Sequence, residues 1–389
     1  MLNIIYNFFL SFRRAMALLL LGVYLLMELA PEVSACTSAI ISAEASASGR
    51  PMLWKHRDTS NADNVVEYVE GHNGDHSYVA LFNADDRRRE QAWTGMNDAG
   101  FAVMNTASYN IKDDKVSQKK MDREGYLMTI ALRSCRTVDD FEQLLRTLPR
   151  PMGVEANFGV IDASGNGAFF ETNNHSFVRY DLKDAPDGML IRTNYSHSGR
   201  DNEGYGFVRE ENACHILAPF AREKSVSPEV LTEVASRSFY HSMMDKDFSR
   251  GAQRWVIDQD FIPRYKSTAT IVIEGCLPLP DVSLASPEFV GKEYIMWTGL
   301  GYPPCAEIVP VWCTPDGVDR DLRGVGSNGH SPLADRAKAR RGEVFPLRKG
   351  NADRYIDMTK LFNDEGTGYV QLLRRQNHEI YEKFGRNKR

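Results

Sequence analysis

Cys36-Thr37-Ser38-Ala39-Ile40-Ile41 and, a turn later, Gly49-Arg50-Pro51-Met52-Leu53-Trp54-Lys55-His56-Arg57-Asp58-Thr59 carry more of this fold than any other stretch of the chain. Each contains a short apolar run of strand type, and Ser48-Gly49 between them has turn chemistry. Paired as a hairpin, they deliver the basic–acidic cluster from Lys55 to Asp58 beside the cysteine.

What precedes Cys36 is different material. Arg13-Arg14 stand before the apolar run Ala15 to Met27, and Val33-Ser34-Ala35 follow as small residues. Positive region, short hydrophobic region and small-residue cleavage site come in the order of a secretory signal peptide, here residues 1–35, and the same order reads from Met16. The apolar run is too short to span a bilayer comfortably, and no later stretch is long enough. An exported chain, periplasmic or secreted, is expected. The cut removes Arg13, Arg14, Glu28 and Glu32, so the net charge of −5 is unchanged.

A cut after Ala35 makes Cys36 residue one, with a free α-amine and a thiol on the same residue. An α-amine titrates near pH ~8 and can act as general base at neutral pH. A thiol already carries a small thiolate fraction, which nearby cations raise. Nucleophile and base then come together and no histidine partner is needed. Val33-Ser34-Ala35-Cys36 also fits a bacterial lipobox, which would place lipid on the thiol and acylate the amine. A lipoprotein usually follows its cysteine with a polar, flexible tether, whereas here a strand starts at once.

The composition is ordinary for a globular chain, 42% hydrophobic and 25% charged, and the mild negative charge does not suggest a nucleic-acid partner. Arg87-Arg88-Arg89 lies between Asp85-Asp86 and Glu90, which makes it a solvated, nearly self-neutralised loop. Six cysteines without a CxxC give zinc and redox motifs little support, and buried free thiols are expected, with a Cys305–Cys313 bridge as the one alternative. There is no His-Glu-x-x-His, Walker loop or Gly-x-Ser-x-Gly. His72 and His76 are four apart, but in a loop rather than on a helix, so no metal pair is expected.

Further strands are expected at Tyr78 to Phe82, Ala92 to Met96, Phe101 to Asn105, Asn157 to Asp162, Gly167 to Glu171, Phe177 to Asp181, Met189 to Thr193, Ser267 to Glu274 and Glu307 to Trp312. Leu127, Ile130, Ala131 and Ser134 have helical spacing. Phe141, Leu144, Leu145 and Leu148 repeat it behind a Thr137 N-cap with Asp140 at the third helical position. Helices are also expected near Gly204 to Ala221 and Pro228 to Ser236. A charged helical tail from Asp353 to Lys383 should wrap the outside. Strand runs followed by helix runs, twice over, suggest stacked sheets covered by helices. Residues 36–389 read as one domain, with a charged helical extension from about 345 to 389.

The stretch from Cys36 to Asp58 resembles the start of N-terminal-nucleophile hydrolases, among them choloylglycine hydrolases, penicillin V acylases, isopenicillin N acyltransferase, acid ceramidase and secreted dipeptidases. These begin Cys-Thr, cross a hairpin and reach an Arg-Asn-x-Asp or Gln-Asn-x-Asp element. Asp58 matches the aspartate, which in the family holds the cysteine amine. Lys55 falls at the basic position and His56 at the asparagine position. Arg57 is an extra cation, so either Lys55 or Arg57 faces the thiol. Gly95-Met96-Asn97-Asp98-Ala99-Gly100-Phe101-Ala102-Val103 is similar to the family's Gly-Met-Asn-Glu-x-Gly-Leu-x-Val hairpin. It leads to Asn105, near the position whose backbone amide helps bind the oxyanion. Thr193-Asn194 matches the family's Thr-Asn pair, whose asparagine side chain is the other oxyanion donor, an uncharged group aimed at developing negative charge. Arg209 matches the late arginine near the nucleophile, with Arg237 as its rival.

The resemblance covers roughly Cys36 to Trp312. It implies an α+β fold, a four-layer αββα sandwich of two antiparallel sheets flanked by helices. It also implies an amidase that hydrolyses a linear amide C–N bond of a small molecule through an acyl-enzyme on Cys36. Acyl transfer to an amine is the catalytic alternative, and a ligand-binding surface lipoprotein the non-enzymatic one. Neither cofactor nor metal is implied, and a homo-oligomer is left open.

Overall fold

Strand β1 (Thr37–Ile41) pairs antiparallel with β2 (Met52–Asp58), Ala39 opposite Trp54 and Ser38 opposite Lys55, so the hairpin is formed. The computed structural model describes residues 35–326, 328–347 and 354–386, and the expected signal up to Ser34 lies outside them. The chain continues through β3 (Asn64–Val69), β4 (Tyr78–Asn83), β5 (Thr94–Asn97), β6 (Ala102–Ala107), helices α1 (Glu124–Ser134) and α2 (Val138–Thr147), β7 (Ala156–Ile161), β8 (Gly167–Thr172), β9 (Phe177–Asp181), β10 (Met189–Arg192) and α3 (Phe207–Arg222). There follow β11 (Tyr240–His241), β12 (Lys246–Asp247), β13 (Trp255–Ile257), β14 (Ser267–Glu274), α4 (Pro287–Glu293), β15 (Ile295–Leu300), β16 (Ile308–Val311), α5 (Pro332–Val344), β17 (Tyr355–Asp357), α6 (Met358–Leu361) and α7 (Tyr369–Phe384).

Two large antiparallel sheets result, β10-β1-β2-β14-β15-β16 and β3-β4-β5-β6-β7-β8-β9. Successive side chains on a strand point to opposite faces, so each sheet fills two cores. Ile40 and Leu53 face inward and pack with Val79, Met96 and Met104 of the other sheet. Trp54 and Met52 face outward and pack with Ala213 and Leu217 of α3 and with Tyr381 of α7. On the seven-stranded sheet the outward residues Phe82, Val103, Phe158 and Phe170 pack against Leu127, Phe141 and Leu145 of α1 and α2. Helices, sheet, sheet, helices: the architecture is the αββα sandwich.

Helix α2 starts with the predicted capping box. The Thr137 hydroxyl accepts from the Asp140 amide at 3.0 Å, and the Asp140 carboxylate accepts from the Thr137 amide at 2.9 Å. Two local expectations give way, and β3, just after Asn61-Ala62-Asp63, is a strand that was not among those expected. The segment expected as a helix from Pro228 to Ser236 is a π-helix over Val230–Ala235. The tail is not continuous helix around the outside. Its β17 pairs with β13, and α7 buries Tyr381 against Trp297 with ring centroids 5.1 Å apart. Cys305 and Cys313 are unbridged buried thiols.

Candidate active site

β2 lies between β1 and β14 with all seven residues buried, among them Lys55, His56, Arg57 and Asp58. Charges taken out of water need partners close at hand. The pleat sends Lys55 and Arg57 to the inter-sheet side with Leu53, and His56 and Asp58 to the α3 side with Trp54. Continuing the β1–β2 register past Thr37 opposite His56 brings Cys36 level with Arg57.

On the inter-sheet side, the Lys55 ammonium donates to the Trp93 carbonyl at 2.6 Å and to Asn105 Oδ1 at 2.7 Å. Burial pushes its pKa down to about 7; the Cys36 charge opposes that drop and Arg57 adds to it. Arg57 donates to Asn64 and, at 2.8 Å, to Asn83, and its guanidinium lies 4.9 Å from the Trp93 ring centroid. Both cations therefore sense the thiol, and Arg57 is tied down by neutral partners.

On the other side, the Asp58 carboxylate accepts from Ser267 Oγ at 2.6 Å and forms an ion pair with Arg264. Arg264 Nη2 also donates to the Ala35 carbonyl at 3.0 Å, the acyl side of the Ala35–Cys36 bond. The carbonyl of Cys36 itself accepts from Arg209 Nη1 at 2.6 Å. Two arginines thus hold the carbonyls on either side of the Cys36 nitrogen. Asp58 shares one of them, and the Cys36 Sγ lies 3.9 Å from the Asp58 carbonyl oxygen. His56 is bonded to Ser267 Oγ at 2.9 Å, and burial pushes its pKa down to about 4. It is a neutral structural side chain here.

Arg209 sits in the first turn of α3 and also reaches Thr37 Oγ1 at 3.0 Å and Asn194 Oδ1 at 2.8 Å. Burial, then Arg264, pushes its pKa down to about 10. Gly206 before the helix makes this approach possible. Its φ is +96°, and a Cβ there would stand 2.3 Å from Arg209 Nη2. Asn194 is held by backbone bonds to Tyr205 and donates through Nδ2 to the Ala107 carbonyl at 2.8 Å. One of its two amide hydrogens is thereby used, and the other makes no hydrogen bond among the described residues.

Cys36, Asp58, Asn194 and Arg209 are therefore joined in one bonded group, with Lys55, Arg57 and Asn105 on the inter-sheet flank. Arg237 stands apart, paired with Glu233 at 2.6 Å. Arg264, Ser267 and Thr37 were given no site role from sequence. Arg264 follows Pro263 just before β14, but nothing in the spacing links it to Asp58 206 residues earlier. Among the described residues, Asp63, His330 and Asp335 could hold a metal by geometry, yet the Lys338 ammonium already pairs with both aspartates.

Residues 64–215 match the family of acyl-coenzyme A:6-aminopenicillanic acid acyl-transferase. The resemblance to N-terminal-nucleophile hydrolases stands. The matched span contains Asn105, Asn194 and Arg209 and begins after Cys36 and Asp58. Among solved structures, the chain is similar to a Caenorhabditis elegans ortholog of N-acylethanolamine-hydrolyzing acid amidase, at 13% identity over 65% of this chain and 97% of that one, TM-score 0.40. It is similar to a mutant conjugated bile acid hydrolase from Clostridium perfringens, at 10% identity over 72% of this chain and 95% of that one, TM-score 0.40. It is also similar to a penicillin V acylase from Agrobacterium tumefaciens, at 12% identity over 71% and 86%, TM-score 0.38. At these TM-scores the likenesses place no residue. No curated protein matches the chain.

Proposed function

We propose that the exported chain is a cysteine-nucleophile amidase, cutting a linear amide C–N bond of an N-acylated or conjugated small molecule. The observation that carries this reading is the convergence on one residue. Asp58, Arg264 and Arg209 surround the Ala35–Cys36 peptide where the expected signal cut would free the Cys36 amine.

In the mature chain the α-amine, oriented by Asp58, takes the thiol proton as Cys36 Sγ attacks the amide carbonyl. The free N–H of Asn194 and a backbone amide near Asn105 receive the oxyanion. The amine then returns its proton to the departing nitrogen, and water releases the acyl group by the same steps in reverse. Lys55, while protonated, favours the thiolate. Arg209 is a positioning residue, since it fixes the Cys36 carbonyl and the Asn194 side chain rather than the reacting atoms.

Acyl transfer to an amine in place of water is favoured by the match to an acyltransferase family. Turnover of N-acyl amino acids, bile-acid conjugates and penicillin V, by chains beginning at Cys36 or at an untrimmed Met before it, tests the proposal. Activity should appear only with Cys36 first. Equal activity of the blocked chain would remove the amine from the mechanism. Adding hydroxylamine separates hydrolysis from transfer by the hydroxamate formed.

A further inference from the structure

The inter-sheet flank of the site holds more positive charge than the mechanism uses. Lys55 and Arg57 are 1% and 4% exposed, and among the described residues neither forms an ion pair with a carboxylate. Their hydrogen-bond partners are all neutral: the Trp93 carbonyl and Asn105 for Lys55, Asn64 and Asn83 for Arg57. Asp85 acts on Arg57 only at a distance, and its own carboxylate accepts from Asn61 at 3.1 Å. A buried cation without a counter-charge is costly. Lys55 relieves that cost by losing its proton, since burial pushes its pKa down to about 7. Arg57 does not, because burial lowers its pKa only to about 10 and it stays charged at neutral pH. The Cys36 thiol balances it only as thiolate, and attack on the substrate consumes that charge.

Arg57 also has donors left over. Asn64 and Asn83 take one N–H from each Nη, and the others have no partner among the described residues. The guanidinium lies over the Trp93 ring, 4.9 Å from its centroid, and the Trp93 Nε1 is itself buried with no hydrogen-bond partner. An indole N–H and a guanidinium edge are thus left unsatisfied in one stack. A planar oxyanion with two acceptor oxygens fits such a pair, and the arginine fork matches it. The stack is also next to the reacting atom. The β1–β2 register brings Arg57 level with Cys36, and cross-strand neighbours on one face stand about 4.5–5.5 Å apart at Cβ. Asn83 and Trp93 are only half-buried, so the guanidinium lies close under the surface.

We propose that Arg57 and the Trp93 indole N–H form an anion subsite beside Cys36, so that the amide cut there carries a carboxylate within a few bonds of the scissile C–N bond. This rests on the amidase reading for the reaction and on Arg57 and Trp93 alone for the anion. Arg57 sets specificity in it, while Lys55 stays with the thiol.

Calorimetric titration of the exported protein carrying Cys36→Ala reads binding without turnover. Two acids are compared with their uncharged amides at pH 7.5. N-hexanoylglycine against N-hexanoylglycinamide puts the carboxylate on the amine side, and N-hexylsuccinamic acid against N-hexylsuccinamide puts it on the acyl side. One of the acids should bind at least fivefold more tightly than its amide, which also assigns the side. Arg57→Gln should cut that preference below twofold and leave the Kd of the amide within about threefold. Trp93→Phe keeps the ring under Arg57, removes the N–H and should weaken the preference roughly two- to fivefold. Circular dichroism checks that the variants are folded. A preference below fivefold for both acids, absent binding included, would overturn the subsite. So would a preference undiminished in folded Arg57→Gln or, should that variant not fold, in Trp93→Phe. These outcomes leave the turnover test of Cys36 untouched, and loss of turnover with the preference intact would remove the amidase reading alone.

Discussion

Replacing Asp58 by Asn keeps the shape of the side chain and removes its charge, and the structure assigns that change two separate costs. The carboxylate is fully buried and pairs with Arg264, whose side chain is 23% exposed. Breaking a buried pair by removing one partner costs about 3–5 kcal/mol, and the partial exposure of Arg264 favours the lower end. A lower melting temperature is therefore expected on structural grounds alone, by several degrees for a domain of this size. The catalytic cost is additional. Loss of a charge-assisted bond to the Cys36 amine should remove about 1.5–3 kcal/mol of transition-state stabilisation, or roughly tenfold to a hundredfold in kcat. The single variant cannot separate the two. Pairing Asp58→Asn with Arg264→Gln removes both charges, so much of the lost stability should return. Activity should not return if Asp58 orients the nucleophile's amine. The assay is kcat and melting on the wild type, both single variants and the double variant, all beginning at Cys36. Recovery of kcat together with stability in the double variant would show Asp58 to be only Arg264's partner and would refute the reasoning.

Lys55 gives a pH signature of definite sign. Its folded pKa is pushed down to about 7, so between pH 7 and 10 the unfolded chain holds a proton that the folded chain lacks, and stability should rise with pH. Lys55→Met should flatten that rise by up to about 1.4 kcal/mol per pH unit, read by denaturant titration. Turnover should fall as pH climbs through about 7 and the ammonium beside the thiol is lost, and Lys55→Arg should move that decline to higher pH. Asn194→Ala should lower kcat by roughly 10²–10³, as for the loss of one oxyanion donor, and should also lower the melting temperature, because it takes a partner from the buried Arg209 Nη2 and from the Ala107 carbonyl; an unchanged kcat in the folded variant would exclude it from that role. Gly206→Ala would force a Cβ onto the Arg209 guanidinium at φ +96°, so both melting temperature and kcat should drop. A normal kcat there would show that Arg209 does not position the site.

The parts legible in the sequence are those whose causes are local. The β1–β2 hairpin is specified by its own apolar runs and turn. The Thr137–Asp140 box needs only four consecutive residues. The expectation that singles out Cys36, a signal cut after Ala35, rests on residues that lie outside the described ones. What escaped depends on contacts between distant segments. Arg264 reads as an ordinary basic residue until β14 pairs with β2 and lays it on Asp58. Arg209 could be told from Arg237 only by docking α3 against β1, because both are arginines in helical surroundings and both are buried. β3 pairs only with β4, and its Asn64 caps the charge of Arg57 rather than continuing an apolar alternation. The tail's strand was hidden because Tyr355–Asp357 is short and is stabilised by β13, about a hundred residues earlier.

The central claim is that Cys36 becomes the N-terminal residue and carries the acyl group. Intact-mass spectrometry of the exported protein, before and after brief exposure to a slowly turned-over N-acyl amide, tests it directly. The account predicts a chain that begins at Cys36 with unmodified thiol and amine, and that gains the mass of one acyl group, mapped to Cys36 and absent from Cys36→Ala. A chain that begins elsewhere, a diacylglyceryl group on Cys36, or an acyl group mapped to another residue would contradict it.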